Sequence, residues 1–309
     1  MCVRKSKTPN PRRTPEFLPP IVDVVFKLLF GDERRKGILA AFLTAVLGFK
    51  VLARDITLLD PHLKREHLKD KQSVLDVKLR LRSKKLVNIE MQVENKKDIR
   101  NRAEYYISKW IAGQLEEGDK YNKLAPTVMI LVSKHTMLPE TKEYHSEFGT
   151  LEKTKHFELH GLKTIHVLEL SKLPKNSNSR LVDWLRFINA SKKEDFVTLA
   201  QECKHLAKAL NALANTSANA EARAFYEDRL KAARDKSSEL DYAKDEGRAE
   251  GRTEERAAAK KRLKDAIAEE RKAAAKTLAE ERNLTAKAMA VEGIDAETIA
   301  KIMGVRKTP

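Results

Sequence analysis

Asp76 and Glu90, with Gln92 two residues further on, are the side chains whose types and spacing could do chemistry. Two carboxylates brought to one place offer hard oxygen ligands. These suit Mg²⁺, which keeps several of its waters and also binds phosphate oxygens. Such an ion polarises a scissile phosphate and lowers the pKa of a bound water. Gln92 could orient the attacking water or the phosphate, although an amide cannot act as a charged base. Lys78 could add a nearby positive charge. The pattern D-x13-E-x-Q is weak on its own, because an ordinary charged sheet face in solvent accounts for the spacing at least as well.

The elements that must position these residues are legible as alternation. In 72–82 (QSVLDVKLRLR), Val77, Leu79 and Leu81 face one side and Asp76, Lys78, Arg80 and Arg82 the other. After the turn at Ser83–Lys85, 86–93 (LVNIEMQV) alternates again. The expectation is that Ile89, Met91 and Val93 face the core while Asn88, Glu90 and Gln92 face out, so that the two polar faces of a β-hairpin lie together. Before the hairpin, 20–48 reads as helical with breaks at Gly31 and Gly48, and 51–60 as a strand and turn. After it, 100–117 reads as a helix ended by Gly118. The near-continuous apolar run 127–133 (TVMILVS) reads as a strand buried on both faces, which requires helices on both sides of the sheet. Two further strands are expected in 155–170, HFELH and KTIHVLEL. The order of elements is an α/β layout around a mixed central sheet flanked by helices.

From about residue 180 the chain reads as helical, and from 218 to 282 it is rich in Ala, Glu, Lys and Arg. Sustained apolar heptads are missing, which argues for an extended charged helix over a coiled coil. Gly247 and Gly251 weaken it locally. The expected organisation is a basic disordered arm (1–16), a core (17–175), a helical extension packing on it (176–217), and a charged helical tail with a short C-terminal cap (218–309). The segment 291–305 has the look of the first helix and turn of a helix-turn-helix, but no recognition helix follows.

Net charge is +16 over 309 residues. A basic protein of this kind meets phosphate, on nucleic acid or on an anionic surface. The location of the charge narrows this. Residues 240–282 hold twelve Lys and Arg against eleven Asp and Glu, so the tail is nearly neutral. Residues 62–85 hold nine against three, and Arg4, Lys5, Lys7, Arg12 and Arg13 crowd the arm. The surplus thus surrounds the strand of Asp76, as a phosphate-backbone partner would favour. Arg102, Tyr105 and Lys109, on the helix after the hairpin, could touch phosphates as well. Two distant cysteines exclude a disulfide framework and a CxxC metal site. His156 and His160 share a strand face but lack a third ligand for zinc. No secretory signal or membrane-length apolar run is seen, so a cytoplasmic protein with no membrane partner is expected.

Several segments together resemble the Rpn family of recombination-promoting nucleases and transposases, within the PD-(D/E)XK nuclease superfamily. They are DVVFKLLFG (23–31), FLTAVLG (42–48), QSVLDVKLRL (72–81), NIEMQ (88–92), RAEYYISKWIAGQLEEGDKY (102–121), TIHVLELSKLP (164–174) and ARAFYEDRLKAARDKSSELDYAKDEGRAEGR (222–252). The resemblance implies a restriction-endonuclease-like core and DNA cleavage that depends on Mg²⁺, Mn²⁺ or another divalent ion. It implies Asp76 and Glu90 as metal ligands, Gln92 where the superfamily sets a lysine, and Asp23 where the superfamily often sets another acidic residue. The water-activating group stays open between Gln92, Lys78 and the metal alone. The alternatives are a catalytically inactive DNA-binding scaffold that keeps the fold, and a basic protein whose tail recruits a partner or further copies.

Overall fold

The computed structural model describes residues 15–59, 77–93 and 98–304. Its first helix, α1 (Asp23–Phe30), buries Val24, Val25, Phe26, Leu29 and Phe30. Gly31 ends it for a steric reason: a Cβ there would sit 2.7 Å from the Lys27 carbonyl oxygen. A 3-10 turn leads into α2 (Lys36–Leu47), which closes on Gly48 at φ 73°, the left-handed conformation that glycine adopts without strain. Phe26 stacks on Phe30, and Phe30 and Phe42 both meet the buried Trp184 ring edge-on. Aromatic pairs in that geometry add to the burial of their large apolar area.

Six strands form one mixed sheet in the order β1-β2-β3-β4-β6-β5. They are β1 (Ile56–Leu58), β2 (Val77–Leu81), β3 (Leu86–Gln92), β4 (Thr127–Ser133), β5 (His145–Gly149) and β6 (Lys163–Glu169). β1, β2 and β3 pair antiparallel, β3, β4 and β6 pair parallel, and β5 lies antiparallel at the far edge. The parallel step from β3 to β4 needs a crossover, supplied by α3 (Ile99–Ala112). Its Ala103 and Ile107 pack on Met129, Leu131, Ile165 and Val167. The opposite face of the sheet presents Val87, Ile89, Met91, Val128, Ile130 and Val132 to a larger core. That core is completed by α1, α2, α4 (Arg180–Asn189), α5 (Lys193–Glu202) and α6 (Ala207–Ala218). β4 is buried along its whole length, as a nearly all-apolar strand between helical layers must be.

The chain divides into two units, 1–234 and 235–309. The long helix α7 spans Ala220–Val291, and at its start Ala222, Phe225 and Tyr226 are buried. In the second unit α7 is exposed throughout nearly its whole course, and Gly293 at φ 89° separates it from the short helix α8 (Ala296–Ile302). No described helix is long and apolar enough to cross a membrane.

Three expectations are corrected. The helix after the hairpin ends at Ala112 with Gly113 as its cap, and Gly118, at φ 86°, lies in the following loop. HFELH is not a strand: His156 sits at φ 58°, Phe157 and Leu159 are exposed, and a single bridge joins Leu151 to Glu158. The edge strand is instead HSEFG (145–149), which can pair because β6 offers it a free edge. Third, Asn88, Glu90 and Gln92 do not face solvent. β3 is buried on both faces, because β4 flanks it on one side and it lies inside the helical layers, while Val93 at its end is exposed. The arm at residues 1–14 lies outside the described residues.

Candidate metal centre and its surroundings

Glu90 and Gln92 leave β3 on the same side, two residues apart as strand geometry requires, and the Gln92 amide donates to Glu90 Oε1. Both are buried, at 6% exposure each. A carboxylate held this deep needs hydrogen-bond donors or a cation to offset lost hydration. Asn88 extends the same polar row and is also buried. The row ends at the carboxyl ends of the parallel strands: Gln92 is level with Ser133 of β4, and Ser133 with Glu169 of β6. This is the end of a parallel sheet where ligands are usually bound.

β2 runs beside this row in the register Val77 to Ile89 and Lys78 to Asn88. Lys78, Arg80 and Arg82 are exposed, as alternation predicts. Asp76, the expected second carboxylate, lies outside the described residues. Among the described residues no group of three His, Cys, Asp or Glu is arranged to hold a metal ion. What is described fits a hard divalent ion in kind, a buried carboxylate oxygen beside a neutral amide.

Asp23, the candidate on α1, is taken up by Arg229 at the start of α7. The guanidinium forks onto both carboxylate oxygens, with Nε 2.9 Å from Oδ1, and Oδ1 also accepts from the Val24 amide at 2.8 Å. One turn on from Asp23, Lys27 is buried. The Asp23–Arg229 pair had no signal in the sequence, since 206 positions separate its members.

On α3, Tyr105 and Lys109 are exposed and Arg102 is half-buried. The Arg102 guanidinium lies 5.5 Å from the Tyr106 ring centre, and Tyr105 and Tyr106 meet edge-on. Sequence reasoning passed over His135, in the loop after β4, whose ring bonds to the carbonyl of Val93 at 2.9 Å. A histidine after a strand carries no local signal of this contact. Elsewhere, His145 and His166 share a hydrogen bond of 3.0 Å between β5 and β6. Burial, then His145 and Lys85, push His166 down to about 4. Burial and a hydrogen bond to Asp183 push the Cys203 thiol up to about 11, away from thiolate chemistry.

Comparison with curated proteins and with solved structures returns no match. Comparison with protein families returns one that is described as PD-(D/E)XK nuclease family transposase, matched over residues 20–243. That span takes in α1, the whole sheet, and the start of α7 with Arg229, and it is the greater part of the chain. The mixed sheet between helical layers agrees with a restriction-endonuclease-like fold. The chain therefore belongs to the PD-(D/E)XK nuclease family transposases.

Proposed function

We propose that this protein is a divalent-metal-dependent DNA endonuclease that hydrolyses phosphodiester bonds and works in recombination or transposition. The observation that carries the reading is the buried Glu90 carboxylate with Gln92 against it, at the carboxyl end of β3, inside the family match. Asp76, which directly precedes β2 in the sequence, is the second carboxylate that the sequence and the family resemblance offer. Asp76 and Glu90 would hold the ion, Mg²⁺ in the first instance and Mn²⁺ in its place. When bound, the ion supplies Lewis acidity toward the phosphate and a more acidic water.

The chain's own residues bind and orient. Arg80, Arg82, Lys109 and Tyr105 are exposed on β2, its turn and α3, where they can meet phosphates of the backbone. Arg102, backed by Tyr106, presents a planar guanidinium suited to a phosphate. Lys78 adds charge on the face of Arg80, and Gln92 orients a water or a phosphate oxygen. Asp23, held by Arg229, contributes negative charge at the start of α1. On this reading the protein works on DNA in the cytoplasm.

A plasmid cleavage assay tests it. Wild type is expected to cut with Mg²⁺ or Mn²⁺ and to stop with EDTA. Asp76→Ala/Glu90→Ala should lose about 10³-fold or more in rate while keeping salt-sensitive DNA binding. Undiminished cleavage by the double variant would sink the assignment. A wild type that binds DNA but leaves it uncut whichever divalent ion is supplied would favour a scaffold instead.

A further inference from the structure

We propose that His135 is the general base of this site, an inference that rests on the nuclease reading above. Its position is built rather than incidental. β4 ends at Ser133, level with Gln92, and the ladder runs one bond further: the Lys134 amide donates to the Gln92 carbonyl at 3.0 Å. Ser133 then ties down the next residue twice, its Oγ donating to the His135 carbonyl at 2.7 Å and accepting from the His135 amide at 3.2 Å. From that anchored backbone the imidazole reaches across to the residue that follows β3, with Nε2 2.9 Å from the Val93 carbonyl oxygen.

A carbonyl oxygen only accepts, so Nε2 must carry the hydrogen. The neutral ring then holds its lone pair on Nδ1. An orienting hydrogen bond on one nitrogen that leaves the other free to take a proton is the arrangement acid–base catalysis asks of histidine. The other side chains at this end of β3 do not offer it. Gln92 is an amide, Lys78 is level with Asn88 and not with Gln92, and on the nuclease reading Glu90 would be taken up by the ion. His135 is partly exposed, so water and substrate can reach it.

The step balances without a further reactant. A water oxygen attacks phosphorus and its proton passes to His135 Nδ1. The bond from phosphorus to the leaving oxygen breaks, and that oxygen takes a proton from solvent. The imidazolium returns its proton to solvent, leaving a phosphomonoester and an alcohol.

The test uses the full chain with His135→Gln, which keeps an N–H donor for Val93, and with His135→Ala. Cleavage should fall by about 10²–10⁴-fold in both. Mn²⁺ affinity by calorimetry, DNA binding and melting temperature should match wild type, and added imidazole should restore part of the His135→Ala rate. Cleavage by either variant within about twofold of wild type overturns the proposal. So does a loss that imidazole does not rescue, which would assign the residue a structural role. A wild type that binds Mn²⁺ but cuts nothing removes the nuclease reading and this proposal together. A cutting wild type with an undiminished His135→Gln variant removes this proposal alone.

Discussion

In the unit ending at Arg234, Asp23, Lys27, Glu90 and Glu169 are buried, whereas Asp241, Lys244, Asp245 and Arg248 in the second unit stand in solvent. Both sets are made of carboxylates and basic side chains. Glu169 is fully buried, and its Oε1 takes the amides of Met137 and Leu138 while its Oε2 meets the Lys172 ammonium at 2.5 Å. The Asp241–Lys244 and Asp245–Arg248 pairs span 3.7 and 3.8 Å with both partners exposed. Removing a charge from water costs several kcal/mol unless geometry and hydrogen bonds return it, while a solvated pair costs and contributes little. Charge in the first unit therefore specifies particular contacts, and charge in the second keeps a helix soluble.

The largest effect that would break this contrast is at Glu169. Glu169→Ala leaves the part-buried Lys172 without its carboxylate and the loop at Met137 and Leu138 without its anchor. The expected loss is about 3–5 kcal/mol, read from urea unfolding. Lys172→Met should cost less, because Glu169 keeps two amide donors. If both variants fall within the range of surface substitutions, buried pairs here count no more than those of the tail. The next effect is one of pH. His166 in the folded chain titrates near 4, below the value of about 6.5 for an unfolded histidine. Between those values the unfolded chain takes up a proton that the folded chain refuses. Stability present above pH 6.5 is then lost as pH falls toward 4, by on the order of 3 kcal/mol from this group. Unfolding of His166→Gln should show a flatter slope over that window, and an unchanged slope would refute the assignment.

What the sequence disclosed follows the same division. The apolar run of β4 and the alternation of β2 are local patterns, and the structure keeps them. The charged helix, too, was legible, because its composition leaves no face to bury. β3 misled because its own alternation cannot show that β4 and the helical layers enclose its polar side. HFELH misled because alternation without a partner edge leaves Phe157 and Leu159 in solvent. At the candidate site, Glu90 and Gln92 stood out through spacing and resemblance. The contacts of Asp23 with Arg229, and of His135 with Val93, depend on segments that meet only on folding.

The smallest effect has the opposite sign and lies in the tail. Gly247 and Gly251 sit inside α7, and nothing lies within 4 Å of where a Cβ would be at either position. A glycine in a helix interior is about 1 kcal/mol less favourable than alanine, because it loses more backbone freedom on folding. Gly247→Ala/Gly251→Ala should thus stabilise α7 locally and slow amide exchange around these residues several-fold. Unfolding of residues 15–234 and DNA cleavage should stay as in wild type, since neither glycine packs on a side chain. Faster exchange at these positions would mean that the open space around them is filled by something the helix needs. The tail would then carry specific contacts like those of the first unit, and the contrast between the two would fail.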